Sequence, residues 1–193
     1  MDIANTLSGT AARYWHRLDD GRVQCDLCPR ECKLRDGQRG VCFVRAREDD
    51  GVVLTTYGRS SGFCVDPIEK KPLFHFHPGS TAFSIATAGC NLHCRNCQNW
   101  QLSQRGGEEM ERIYRAEPKD VVDAALTENC HSIAYTYSDP IIFYEYVYDT
   151  SALAHDHGLK NIFVTAGYIN EKPMRRLCRV IDATNIDLKA FDD

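Results

Sequence analysis

Residues 89–100 read Gly-Cys-Asn-Leu-His-Cys-Arg-Asn-Cys-Gln-Asn-Trp and place Cys90, Cys94 and Cys97 in a Cys-x3-Cys-x2-Cys pattern. So short a loop can direct three thiolates at one centre, and cysteines at such spacings hold iron–sulfur clusters or zinc. A fourth cysteine is absent from the loop. A cubane cluster held by three thiolates keeps one iron open for another molecule, which suits a catalyst better than an electron carrier.

Cysteines so close together also occur in zinc sites and in disulfide frameworks. His93 could complete a zinc site, but it directly precedes Cys94, and adjacent residues rarely both reach one tetrahedral ion. Residues 1–14 lack the apolar core of a secretory signal, so the ten cysteines are expected to stay reduced, in the cytoplasm. The spacing therefore favours iron–sulfur over zinc.

The loop and its flanks, Ala88–Leu92 and Cys97–Trp100, resemble the radical S-adenosylmethionine (SAM) superfamily. Within it they resemble the radical SAM enzymes of AmmeMemoRadiSam systems. These are relatives of the activating enzymes of pyruvate formate-lyase and other glycyl-radical enzymes. The resemblance implies that the three cysteines hold a 4Fe–4S cluster whose open iron binds SAM. It implies reductive cleavage of SAM to methionine and a 5′-deoxyadenosyl radical, which abstracts hydrogen from a substrate. The residue before the third cysteine usually lies against adenine and is aromatic. Here it is Asn96, whose amide offers a hydrogen bond instead of stacking.

The same resemblance implies partners. An electron donor of the flavodoxin or ferredoxin type is expected to reduce the cluster. The substrate is expected to be a protein glycine or another peptide group, with a small molecule as the alternative.

A second group of four cysteines lies within eighteen residues: Cys25, Cys28, Cys32 and Cys42. Pro29, Gly37 and Gly40 supply turns between them. So little chain cannot build a core of its own, and a bound metal would supply the missing folding free energy. Four thiolates suit structural zinc or an electron-transfer iron–sulfur cluster, and the spacing does not choose between them. Residues 1–50 are therefore predicted to form a cysteine-rich metal-binding module.

The alternative function comes from the same module. Residues 22–47 carry more Arg and Lys than Asp and Glu, as in a nucleic-acid-binding zinc knuckle. However, Phe43 is the sole aromatic residue among them, and the net charge of −4 attracts neither nucleic acid nor an anionic membrane. No apolar run approaches the ~20 residues of a membrane span. A zinc-binding interaction or nucleic-acid module on an inactive α/β scaffold thus remains the second hypothesis, with nucleic acid disfavoured.

Residues 51–79 are predicted to be a linker that wraps the main domain, and residues 80–193 alternate strands with helices. Helices are predicted from Pro118, from Pro140 to about His155, and after Asn170. The predicted strands are 81–86, 132–137, 161–165 and 183–188. This alternation indicates an α/β fold with a parallel sheet and right-handed crossovers. The resemblance implies a partial (β/α) barrel truncated after its fourth strand, so that missing C-terminal residues or another subunit would cover the last edge.

Ligands of parallel sheets collect at the carboxyl ends of the strands. The cysteine loop follows the first predicted strand, and polar residues follow or end the other three. Asp139 is expected to cap the following helix and to accept from the SAM ammonium. The residues expected to contact SAM are Asn96, Ser138, Asp139, Thr165, Gly167, Asp187 and Lys189. Asp187-Leu188-Lys189 resembles a motif of the activating enzymes. General acid and base residues are not predicted. The remaining cysteines, Cys64, Cys130 and Cys178, are expected to be buried thiols.

Overall fold

The computed structural model describes residues 9–189. The N-terminal part consists of short antiparallel strands in two three-stranded sheets, with the orders β1-β6-β5 and β2-β3-β4. A small core of Ala12, Val23, Leu34 and Val52 lies between them. The strands are β1 (Thr10–Ala11), β2 (Trp15–Arg17), β3 (Val23–Cys25), β4 (Lys33–Leu34), β5 (Arg45–Glu48) and β6 (Gly51–Leu54). Because β6 pairs with β1 and β5, this module's sheet continues to Leu54.

The second part is built on a five-stranded sheet with the order β13-β12-β11-β9-β8. Strands β9, β11, β12 and β13 run parallel, and β8 pairs antiparallel with β9. The strands are β7 (Arg59–Ser60), β8 (Gly62–Pro67), β9 (Thr81–Ala86), β10 (Tyr114–Arg115), β11 (Ser132–Tyr135), β12 (Lys160–Thr165) and β13 (Ala183–Ile186). The helices are α1 (Trp100–Ser103), α2 (Pro118–Thr127), α3 (Tyr144–Asp156) and α4 (Glu171–Leu177), with 3₁₀ turns at Ile68–Lys70, Gly107–Glu109 and Pro140–Phe143.

The four predicted strands are present as neighbours in chain order. The second ends at Tyr135, two residues earlier than predicted, because Tyr137 has a φ of +68° that an extended strand cannot hold. The fourth also ends two residues earlier than predicted, at Ile186. Pro118 opens α2, whose first turn is closed by a capping box between Glu117 and Asp120. Pro140 opens a 3₁₀ turn that leads into α3. The last four residues of the predicted barrel and the first eight of the predicted module lie outside the described residues.

The two faces of the sheet have different partners. Phe83, Ile133 and Phe163 on one face share a core with α2, α3 and α4. The small residues of the other face, such as Ala82 and Ala134, pack with apolar side chains of residues 68–76. The predicted linker therefore covers one face of the sheet. Its strand β8 was not predicted, because its ladder depends on β9, a partner that local sequence does not reveal.

Two of the three cysteines expected to be buried are exposed. Cys130 is buried as predicted, but Cys64 and Cys178 are exposed. Cys64 lies on the edge strand β8. Cys178 directly follows the last residue of α4, so it lies just outside the helix whose periodicity predicted its burial. All ten cysteines of the chain are free thiols.

Buried polar contacts hold the N-terminal module against the sheet domain. The Glu145 carboxylate of α3 accepts from the Arg45 guanidinium at 2.8 Å and from the Arg13 backbone N–H at 2.7 Å. The Asn170 side chain donates to the Asp26 carbonyl at 2.9 Å. Among residues 9–189, every helix is too short or too polar to cross a membrane.

Candidate cofactor-binding site

A cleft of about 630 Å³ opens at the carboxyl ends of the parallel strands. That volume is typical of pockets for cofactors and small molecules. The three loop cysteines line it together with six of the seven predicted contact residues: Asn96, Ser138, Asp139, Thr165, Asp187 and Lys189. The structure thus brings together residues spread over one hundred positions of the chain. Gly167 lies just beyond the wall formed by Ala166, and its N–H donates to Thr165 Oγ1 at 3.0 Å.

The cysteine loop can leave β9 in this direction only because residue 89 is glycine. Gly89 has a φ of +93°, and a Cβ there would lie 2.2 Å from the Cys42 carbonyl oxygen. Its N–H donates to the Leu102 carbonyl at 3.0 Å, which closes the loop onto α1. The loop is therefore pressed against the N-terminal cysteine group as it enters the cleft.

Hydrogen-bond donors surround two of the loop sulfurs. Cys90 is buried, which raises the pKa of its thiol, while the N–H groups of Leu92 and Asp139 oppose that shift. The Leu92 nitrogen lies 3.4 Å from Cys90 Sγ, and the Ser103 hydroxyl lies 3.3 Å from Cys97 Sγ. Donors at sulfur stabilise thiolates and tune clusters. Ser103 was missed because it belongs to no motif, and its burial at the end of α1 is a tertiary feature.

Asp139 joins two neighbouring strand ends. Its carboxylate accepts from Thr165 Oγ1 at 2.8 Å, from the Ala166 N–H at 3.0 Å and from the Ile141 N–H at 3.2 Å. The bond from Ile141 confirms the predicted N-cap. Burial raises the pKa of Asp139, and these donors oppose the shift. The hydroxyls of Ser138 and Thr165 already donate to protein oxygens, so they offer a ligand only acceptor lone pairs.

The pair from the end of the fourth strand brings a cation to the loop. Lys189 Nζ lies 2.9 Å from Asp187 Oδ2, and Asn185 Nδ2 donates to the other carboxylate oxygen at 2.7 Å. The hydrogen bond to Asp187 raises the pKa of Lys189, with further contributions from Cys94 and Cys97. The pair therefore brings a positive charge to the side of the cleft where the cysteine loop lies.

The N-terminal cysteines Cys25, Cys28, Cys32 and Cys42 line one small cavity of about 20 Å³. Burial raises the pKa of Cys28, and that of Cys42 to about 12, so a metal would bind here by displacing protons. Across residues 9–189, no three Cys, His, Asp or Glu side chains are spaced to hold one metal ion between them. Both cysteine groups offer soft sulfur donors of the kind that iron–sulfur clusters and zinc prefer.

Asn91 connects the two cysteine groups. Its backbone carbonyl accepts from Arg30 Nε at 3.1 Å, and its side chain donates to the Tyr168 carbonyl at 2.9 Å. Asn91 also lies beside Cys28 in the cavity wall, where its side chain lowers the pKa of Cys28 against the larger effect of burial. The residue next to Cys90 is thus part of the wall of the N-terminal cysteine cavity. Sequence reasoning missed this contact, which joins segments sixty residues apart.

The wall of the cleft also includes residues that the sequence did not indicate. Lys70, Lys71 and Tyr137 line it together with the predicted residues. Both lysines come from the segment that was predicted to be a linker.

Comparison with known proteins gives two matches. Residues 84–193 match the family described as the radical SAM superfamily, which is more than half of the chain. The uncharacterized protein MJ0808 of Methanocaldococcus jannaschii is 42% identical to the chain over 183 residues. That alignment covers 94% of this chain and 54% of MJ0808, so the chain spans about half the length of this relative.

Proposed function

The chain belongs to the radical SAM superfamily, and on that premise we propose that it is a radical SAM enzyme of the AmmeMemoRadiSam type, in which Cys90, Cys94 and Cys97 hold a 4Fe–4S cluster. With SAM bound, such a cluster supplies a 5′-deoxyadenosyl radical by reductive cleavage. The observation that carries the proposal is the opening of the three-cysteine loop onto the cleft where four parallel strands end.

The chain's own residues have the tasks of binding and shielding. Asp139 accepts from an ammonium at the base of the cleft, where burial strengthens the attraction. Lys189 brings a positive charge to the cysteine loop, and Asn96 offers its amide to adenine. The donors at Cys90 and Cys97 set the potential of a bound cluster. These roles position groups and exclude water, and they require no general acid or base.

We further propose that the N-terminal cysteines hold an auxiliary metal centre. Their common cavity is lined by four soft sulfur donors, which suit either an iron–sulfur cluster or a zinc ion. Asn91 lines the N-terminal cavity and directly follows Cys90, so a metal centre in this cavity would lie next to the cysteine loop. A flavodoxin or ferredoxin is the proposed electron donor, and a protein or peptide group the proposed substrate.

Strand β13 forms an exposed edge of the five-stranded sheet. Within residues 9–189, β13 pairs with β12 alone, and Ile186 and Leu188 are 59% and 81% exposed. Natural proteins normally cover such an edge. We propose that further chain or another subunit covers it, so the decisive experiments belong on the longest natural form of the protein.

The test of the function is anaerobic reconstitution of that form with iron and sulfide, followed by assay of 5′-deoxyadenosine with dithionite and SAM. The Cys90→Ala variant is expected to lose about four irons per chain and all 5′-deoxyadenosine formation. Cys178→Ala, which removes an exposed cysteine just past the end of α4, should keep both. Zinc without sulfide in the purified protein, with unchanged metal in Cys90→Ala, would instead favour the zinc-binding module on an inactive scaffold.

A further inference from the structure

A buried polar network lies in the wall of the cleft, centred on the Asp66 carboxylate. Asp66 accepts from Lys70 Nζ, Lys71 Nζ and Ser84 Oγ, each at 2.7 Å, and from Tyr137 Oη at 2.5 Å. Both ammonium groups also lie over the Tyr137 ring, Lys71 at 4.7 Å and Lys70 at 5.7 Å from its centroid. The network gathers residues from β8, the 3₁₀ turn after it, β9 and the end of β11.

This network carries an excess of positive charge on the side that faces the cleft. The Asp66 carboxylate balances one ammonium, but two are bonded to it. The Lys71 side chain is 2% exposed, and burial lowers its pKa, which is the cost of holding its charge away from water. A tether that only joined the segment to the sheet would need a single lysine.

The other carboxylates of the cleft do not supply the missing negative charge. Asp187 is paired with Lys189, and Asp139 is held by three donors from its own rim. Each ammonium has three N–H donors and gives one of them to Asp66, so donors remain for a ligand in the cleft. An anion brought into the cleft would complete the network.

We propose that Lys70 and Lys71, held in place by Asp66 and Tyr137, form the substrate wall of the cleft and bind an anionic group of the substrate, a carboxylate or a phosphate. The inference rests on the proposed function only in taking the bound molecule to be the substrate. SAM itself is a poor occupant of this wall, because its ammonium and sulfonium make it a cation overall, which the two lysines repel. The wall therefore complements the Asp139 rim, which suits a cation.

The test measures anion binding and needs no SAM cleavage. The protein is titrated with inorganic phosphate and, in a second arm, with acetate, at constant ionic strength set with chloride, and binding is followed by the shift in melting temperature. Lys70→Gln is the informative variant, because its side chain is 54% exposed and its loss does not empty the core. Lys119→Gln is the matched control, since Lys119 makes an i,i+4 pair with Asp123 on the surface of α2.

Lys70→Gln should weaken binding of the favoured anion roughly tenfold, the value of one charge-assisted hydrogen bond, while Lys119→Gln matches the wild type. The arm that binds more tightly identifies carboxylate or phosphate. Absence of binding in both arms, or equal binding by wild type and Lys70→Gln, would overturn the inference. So would displacement of the anion by SAM together with a tenfold loss of SAM affinity in Lys70→Gln, which would assign the lysines to SAM. Because 5′-deoxyadenosine is not the readout, failure here is distinct from failure of the proposed function.

Discussion

Replacing Glu145 with Gln should destabilise the protein more than any ordinary surface change, because the carboxylate neutralises a buried cation. The Glu145 and Arg45 side chains are each 2% exposed and lie 2.8 Å apart. Glu145 also accepts from the Arg13 N–H, and Arg45 donates to the Arg13 carbonyl at 2.6 Å. Removing one partner of a buried pair leaves an uncompensated charge and costs about 3–5 kcal/mol. That is a large part of a typical domain's stability of roughly 5–15 kcal/mol.

The measurement is urea unfolding followed by circular dichroism, with the free energy of unfolding compared between variants. Glu171→Gln is the control, because its pair with Arg175 is exposed on both sides and is expected to contribute less than about 1 kcal/mol. A double variant, Arg45→Met with Glu145→Leu, should recover part of the loss, since apolar side chains can replace a buried ion pair but leave the Arg13 N–H and carbonyl without these partners. Equal losses for Glu145→Gln and Glu171→Gln would refute the reasoning, because they would mean that water reaches the pair and that the module does not dock as described.

Two further predictions concern backbone and pH. Gly89→Ala should cost at least about 2 kcal/mol and reduce the iron content, because its Cβ meets a backbone oxygen at a positive φ; Gly79→Ala, at a φ of +77° in open space, should cost clearly less. Comparable melting temperatures for the two variants would contradict this. Burial acts to raise the pKa of Asp66, but the hydrogen bonds from Lys70 and Lys71 hold that pKa below its ordinary value. The stabilisation that Asp66 provides is therefore complete above about pH 4, and it is lost as the pH falls through the lower pKa of the folded state. Asp66→Asn should therefore be destabilised by roughly 2–3 kcal/mol at pH 7 and approach the wild type in acid, and a difference that stays constant down to pH 3 would count against the network.

The cysteine loop and the parallel strands could be predicted from the sequence because the patterns that indicate them are local. Three cysteines within eight residues, and short apolar runs separated by amphipathic helices, need no distant partner to be read. The same locality explains why the rim residues Asp139 and Lys189 were expected in one place, since the carboxyl ends of parallel strands share an edge.

Predictions of burial were wrong where burial depends on residues that are distant in the sequence. Cys64 was predicted to be a buried thiol, but it is exposed because β8 forms an edge of the sheet. Cys178 keeps the spacing of the helical core residues, but it is exposed because α4 ends at Leu177. Gly167 follows a strand like the predicted residues that line the cleft, and its positive φ and its bond to Thr165 place it in a turn beside the wall.

The three-cysteine loop and the alternation of strands and helices are thus determined by residues that are neighbours in the sequence. The lysine network around Asp66, the contact of Asn91 with Cys28 and the docking of Arg45 on Glu145 exist only after folding has joined segments up to one hundred positions apart. The physical reason is that backbone propensity and periodicity act over a few residues, whereas the free energy of a buried charge depends on which partners the folded chain places around it.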